Sequence, residues 1–376
     1  MITIQQKYFL ELVKAGLWTV NGEGFLEDPR GKTRRTVHGF SDISWEEMYR
    51  LAEEQSVVGL VAAGLGTIPS EERPPQTDLL RFIGNTLQIE QRNRTMNELV
   101  AKLIDLLRKN DVYAILVKGQ GIAQCYERPL WRSCGDVDLF LSDDNYKAAK
   151  EVLTPIADDV AVENKTTKHQ AFVINGFDVE LHGRMPFTLS KRADKVVDEA
   201  QRNVFYGGNV RSWTNGSTTV FLPSPDNDVI FVFTHFLLHF FIEGVGLRQI
   251  CDWCRLLWTY RSELDLRLLE SRIRKAGLMT EWKAFAALAV NYLGMAEEAM
   301  PLYDSRLKHK GEKVLERVLK SGNFGHNNDL SYRTKYTGLR YKVVVMWRRF
   351  WDFASLIPVF SVDAPRFFVS YVLGRV

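Results

Sequence analysis

The chain has 376 residues, 45% apolar and 25% charged, ordinary globular values that exclude wholesale disorder. That length exceeds what one core usually organises and sets an expectation of about two or three domains. The net charge of +3 conceals an asymmetry: from Pro301 onward there are 14 Lys and Arg against 6 Asp and Glu, or +8, which leaves −5 (35 against 40) on the remainder. A basic C-terminal part suits an anionic partner such as nucleic acid, a phosphorylated substrate or a membrane surface, and equally a solvated helix face. Met1 to Leu10 contains Lys7 and no long apolar core, which argues against a signal peptide. The most apolar stretch, Tyr341 to Val362, is interrupted by Arg348, Arg349 and Asp352, so no membrane span is expected. Cys125, Cys134, Cys251 and Cys254 are then expected as free thiols in a reducing cytoplasm.

The first hundred residues read as helices. Trp45 to Leu65 has apolar residues at helical spacing, with Asp42 or Ser44 as N-cap. Pro69, Pro74 and Pro75 mark 67–77 as a linker, and a long helix follows over about 78–109. Val112 to Val117 and Asp136 to Leu141 read as strands, followed by a helix over about 144–153 capped by Asp143. Strands at 169–174 and 177–181 are joined by Asn175-Gly176, a strong hairpin-turn signal. A second hairpin joins 210–213 to 218–222 around Asn215-Gly216. Helices return at 226–242, 247–260, 264–276, 280–293 and 310–320, then a polar loop over 321–329 and a helical tail from Tyr336 to about Leu356. This order predicts an α+β fold: a helical region (1–95), a core with a small mixed β-sheet (96–224) and a helical domain (225–376).

The chemistry concentrates in the middle region. Asp136 and Asp138 are two apart on a strand, so their carboxylates leave the same face side by side. Adjacent carboxylates repel unless a cation sits between them, and a hard cation such as Mg²⁺ prefers oxygen ligands. Glu180 offers a third carboxylate on a later strand, with Asp178 as its rival on the same face and His182 beside it. If the two strands lie side by side, three carboxylates converge, an arrangement that can hold two metals for in-line phosphoryl transfer. Upstream, Lys118-Gly119-Gln120-Gly121 joins a strand to a short helix, where small residues let the backbone approach phosphates. Lys118 and Arg132 supply positive charge on either side of that helix.

The run ILVKGQGIAQCYERPLWRSCGDVDLFLS, followed by FDVELHGR, resembles the polymerase-β nucleotidyltransferase superfamily. More narrowly it resembles a bacterial nucleotidyltransferase-like family, in Lys118-Gly119, Tyr126, Arg132 and the Asp136-Val137-Asp138-Leu139 strand. The flanks add Trp45 to Leu65, THFLLHFF and LRQICDWCRLL, so the resemblance covers roughly residues 40 to 260. It favours Glu180 over Asp178 through the acid–Leu–His segment. Many superfamily members carry Gly-Gly or Gly-Ser at the turn, where this chain has Gly119-Gln120. The resemblance implies transfer of a nucleoside monophosphate from an NTP to a hydroxyl acceptor, with Mg²⁺ or Mn²⁺ as cofactor. Asp136, Asp138 and Glu180 would be the ligands, and Lys118, Gly119, Gln120, Arg132, His182 and Arg248 would surround the nucleotide.

Other signals carry rival readings. His235 and His239 share a helix face and Cys251 and Cys254 another, a spacing that admits a zinc site, although buried apolar helices are the expected setting. Arg248 and Asp252 are one turn apart and suit a local ion pair; alternatively His235 or Arg248 faces the cleft. The aromatic and basic tail (Tyr341, Trp347, Arg348, Arg349, Phe350, Trp351) suits packing against the body, with a membrane surface or nucleic acid as alternatives. Against the enzyme stands a catalytically silent nucleotide- or partner-binding module of the same fold.

Overall fold

A computed structural model describes residues 2–18, 40, 43–328, 331 and 335–374. Among the described residues three helices come first: α1 (Ile4–Leu17), α2 (Trp45–Glu54) and α3 (Val58–Leu65). Ser44 caps α2 by accepting a hydrogen bond from the Glu47 amide at 3.2 Å, and Asp42, the other candidate, lies outside the described residues. The single helix expected over 45–65 is broken at Gln55–Val57. Here the buried Gln55 side chain accepts from the Leu247 amide (3.0 Å) and donates to the Val318 carbonyl (3.3 Å). A tertiary contact thus overrides the local periodicity.

The 34-residue α4 (Gln76–Lys109) leads to the sheet. Its strands are β1 (Ile115–Val117), β2 (Asp136–Phe140), β3 (Asp159–Val160), β4 (His169–Ile174), β5 (Phe177–His182), β6 (Val210–Asn215) and β7 (Thr218–Pro223). They lie in the order β3-β4-β5-β2-β1-β7-β6. The sheet is mixed, because β2 runs parallel to β5 and β1 to β7 while the other pairs are antiparallel. Asn175 (φ 53°) and Gly176 (φ 73°) form the expected two-residue turn between β4 and β5. The short helix α5 (Gly119–Ala123) follows β1, and α6 (Asp143–Leu153) follows β2 with Ser142, not Asp143, in the cap position. The helix α7 (Lys191–Gly207) was not expected; Ser190 caps it and Val196, Val197, Ala200 and Val204 bury its apolar stripe.

Alternation along the strands gives the sheet two unlike faces. Val137, Leu139, Val179 and Leu181 turn toward α4 and α6, into a core shared with Leu99, Leu103, Leu107 and Leu153. On the other face Ile115, Val117 and Phe140 join the larger core of the helical part. That part comprises α8 (Pro225–Ile242), α9 (Leu247–Thr259), α10 (Leu266–Ala276), α11 (Met279–Leu293) and α12 (Lys308–Ser321). Phe233, Phe236, Trp253, Trp282 and Phe285 meet there at ring separations of 4.7–6.4 Å. Truncating one such ring to Ala costs roughly 3–5 kcal/mol. The described tail includes the helices Gly338–Ala354 and, unanticipated, Asp363–Leu373, and Phe353 and Phe367 close on Phe241 of α8. No helix among the described residues is long and apolar enough to cross a membrane.

Candidate active site

The register of two neighbouring strands builds the site. β2 and β5 pair in parallel with Asp136 opposite Asp178 and Asp138 opposite Glu180. Ligand atoms of Asp136, Asp138 and Glu180 lie within 4.8 Å of one another. Asp178 is exposed and outside this group. Around the acids stand basic groups. Lys118 Nζ lies 2.8 Å from Asp138 Oδ1, and His182 Nε2 reaches the same oxygen at 2.7 Å. His169 Nε2 is 3.1 Å and His182 Nε2 3.4 Å from Glu180 Oε2. Lys118 itself holds a strained left-handed backbone (φ 55°, ψ −142°), and Gly119 follows at φ 34°, a geometry that ordinary L residues rarely adopt.

The electrostatics follow from this crowding. The charge of Asp138, and then burial, raise Asp136 above the ordinary carboxylate range. Burial works to raise Asp138 too, but the Lys118 ammonium and the His182 hydrogen bond hold it below. Hydrogen bonds from His169 and His182 hold Glu180 well below its usual value. Burial opposes the charged form of Lys118, yet the charges of Asp138 and Asp136 raise it. Burial, then the nearby Lys118 charge, keeps His235 neutral. An all-oxygen trio with one member raised by like charge fits a divalent cation, which would relieve the repulsion.

Two spaces open beside the acids. A cavity of ≈ 290 Å³ is lined by Lys118, His169, Glu180, His182, Phe231 and His235. A smaller cleft of ≈ 50 Å³ is lined by Lys118, Gly119, Asp136, Asp138, His235 and Arg248. Arg248 donates to the Ser133 carbonyl at 2.9 Å, while its buried Nε has no hydrogen-bond partner among the described residues.

The family model described as an uncharacterised nucleotidyltransferase matches residues 41–294. The chain belongs to that family. No curated protein and no solved structure matches the chain.

In this member of the family, Lys118, Gly119, His182 and Arg248 converge with the acids on the two spaces. Arg132 borders the smaller cleft, but its guanidinium is held by Asp252 through Nε–Oδ1 at 3.0 Å and Nη2–Oδ2 at 2.5 Å. Tyr126 donates to the same carboxylate at 2.7 Å. Asp252 is therefore not the partner of Arg248, because Arg132 offers a bidentate fit that a helix neighbour does not. Gln120 is buried and turned away, donating to Asn93 Oδ1 (3.3 Å) and Met96 Sδ (2.9 Å), so only its main chain faces the turn. Cys251 and Cys254 are free thiols in the core, and they form no metal cluster with His235 and His239 among the described residues. Sequence reasoning missed His169. A two-residue turn at Asn175-Gly176 sets His169 opposite His182, and counting back from the turn would have found it.

Proposed function

We propose that the chain transfers a nucleoside monophosphate from an NTP to a hydroxyl acceptor, in the cytoplasm, with Mg²⁺ or Mn²⁺ held by Asp136, Asp138 and Glu180. The observation that carries this reading is the pairing of Asp138 with Glu180 across two parallel strands, which draws three carboxylates within 4.8 Å. Asp136 and Asp138 would hold both ions of a two-metal pair, and Glu180 the one nearer the acceptor. When bound, such ions polarise phosphate oxygens and make a hydroxyl a better nucleophile.

The protein's own groups do the rest. The Lys118 ammonium and the Arg248 guanidinium oppose the triphosphate charge, while Arg132, neutralised by Asp252, shapes the wall of the cleft behind them. The main chain at Gly119 and Gln120 can approach phosphate oxygens without side-chain obstruction. His182, bonded to Asp138 and Glu180, orients both, and His169 holds Glu180 from the other side. Neutral His235 offers a hydrogen bond between the two spaces. In the reaction the acceptor hydroxyl releases its proton to water as its oxygen bonds to the α-phosphorus, the bond from that phosphorus to the α,β-bridging oxygen breaks, and pyrophosphate leaves. Labelled NTPs, Mg²⁺ or Mn²⁺ and a panel of hydroxyl acceptors should give labelled product with the wild type. Turnover that survives Asp136→Asn with Asp138→Asn sinks the assignment.

A second reading, a binding module without turnover, rests on one contact. Lys118 Nζ lies on Asp138 Oδ1 at 2.8 Å and can neutralise it without a metal. Calorimetry separates the two: a silent module binds NTP as well in chelator as in Mg²⁺, whereas the enzyme needs the ion.

A further inference from the structure

The tail helix Gly338–Ala354 packs only part of its surface. Phe353 is its one fully buried residue, set against Phe241 of α8. Leu339, Val343, Trp347, Phe350 and Trp351 are exposed, with Leu339 at 77%, Trp347 at 61% and Trp351 at 56%. Their spacing of four, four, three and one residues puts them on one stripe of the helix. Trp347, Phe350 and Trp351 contact one another at 5.4–6.2 Å, and Phe350 meets Phe368 of the last helix, which adds exposed Val369 and Leu373. Packing, the expectation for this tail, accounts for its inner side and leaves this outer stripe uncovered.

Charge selects the occupant. The same helix carries Arg340, Lys342, Arg348 and Arg349 against Asp352 alone, and Asp352 already pairs with Arg349 and Arg317 at 3.2 Å each. The chain from Pro301 onward carries +8. A second copy on this face would bring two basic surfaces together. A single-stranded nucleic acid would use the rings but has no use for exposed Leu339, Val343 and Leu373. A bilayer surface with anionic headgroups uses every part: aliphatic and aromatic side chains enter the acyl boundary, Trp rings sit at headgroup depth, and the basic flanks meet the phosphates. The helix is too short and too charged to cross, so it would lie in the plane.

We propose that the Gly338–Ala354 helix is an interfacial membrane anchor that binds anionic lipid surfaces through its Leu339–Trp351 stripe and basic flanks. It lies outside residues 41–294, the part of the chain that the family model matches. The proposal stands or falls independently of nucleotidyl transfer.

The test is flotation of the full chain with two vesicle preparations, pure phosphatidylcholine and phosphatidylcholine with about a third phosphatidylglycerol. The wild type should float with the anionic vesicles and return to the soluble fraction at high salt. Trp347→Ala with Trp351→Ala should weaken partitioning about ten-fold or more, and Arg340→Glu with Lys342→Glu by a similar factor on anionic vesicles only. All four positions are exposed or outside the core, and circular dichroism checks that the fold survives. A wild type that stays soluble with anionic vesicles overturns the proposal, as does flotation indifferent to both double variants. So does a dimer on size exclusion that Trp347→Ala with Trp351→Ala dissolves, or tight binding of single-stranded RNA lost in the same variant without any flotation.

Discussion

Two buried charge clusters line the same small cleft, and they are built on opposite plans. Around Asp252 the balance is closed. One carboxylate meets one guanidinium in a bidentate pair, Tyr126 adds a hydrogen bond, and both charged side chains are 6% exposed. Around Asp138 the balance is open. Three carboxylates face a single ammonium and two imidazoles, and Asp136 is raised by its neighbour's charge. A closed cluster gains nothing from a ligand and serves the fold. An open one is short of positive charge and gains from a cation, which is why the same residue types read as structure in one place and as a site in the other.

The sharpest test of that difference replaces acids on each side. Asp136→Asn should lower nucleotidyl transfer by on the order of 10³-fold or more while leaving the melting temperature unchanged or higher, because the like-charge crowding that raises Asp136 is relieved and Asp138 keeps its Lys118 and His182 partners. Asp252→Ala should do the reverse. It strands the buried Arg132, costs about 3–5 kcal/mol by denaturant titration, and leaves Mn²⁺ affinity of the folded protein intact. An Asp136→Asn variant that melts several degrees lower, or Asp252→Ala with native stability, would break the distinction. Next in size is Arg248→Ala, expected to reduce kcat/KM by roughly 10²-fold, with partial recovery in Arg248→Lys. The smallest effect is that of His169→Ala: metal affinity should fall about 10-fold or somewhat more, read by Mn²⁺ titration, with the melting temperature unmoved.

The parts of this site that depend on short-range rules were legible in the chain. Strand alternation put Asp136 and Asp138 on one face, and the Asn-Gly turn fixed the 169–182 hairpin. What was not legible depends on partners far away in sequence. Arg248 and Asp252 look like a pair at one helical turn, until Arg132, 120 residues distant, takes the carboxylate. Gln120 sits in a turn that suggests phosphate contact, yet Asn93 and Met96 of α4 draw it inward. The break between α2 and α3 comes from Gln55 bonding to α9 and α12. The helix Lys191–Gly207 escaped notice because its buried stripe is thin: Ala193, Val196, Val197, Ala200 and Val204 among polar neighbours.

The turn at Asn175-Gly176 acts as the origin of a phase. Side chains along β4 and β5 alternate with a period of two, so His169 and Glu180 share a face only while the count from the turn stays even. The tip, where Asn175 and Gly176 are exposed, can accept an insertion without disturbing that count on either strand. One extra residue between 170 and 173 throws His169 to the opposite side of the sheet and leaves Glu180 with a single imidazole. Length is therefore free to vary at one point of this hairpin and is rigidly set a few residues away, with no change in any side chain that touches the acids.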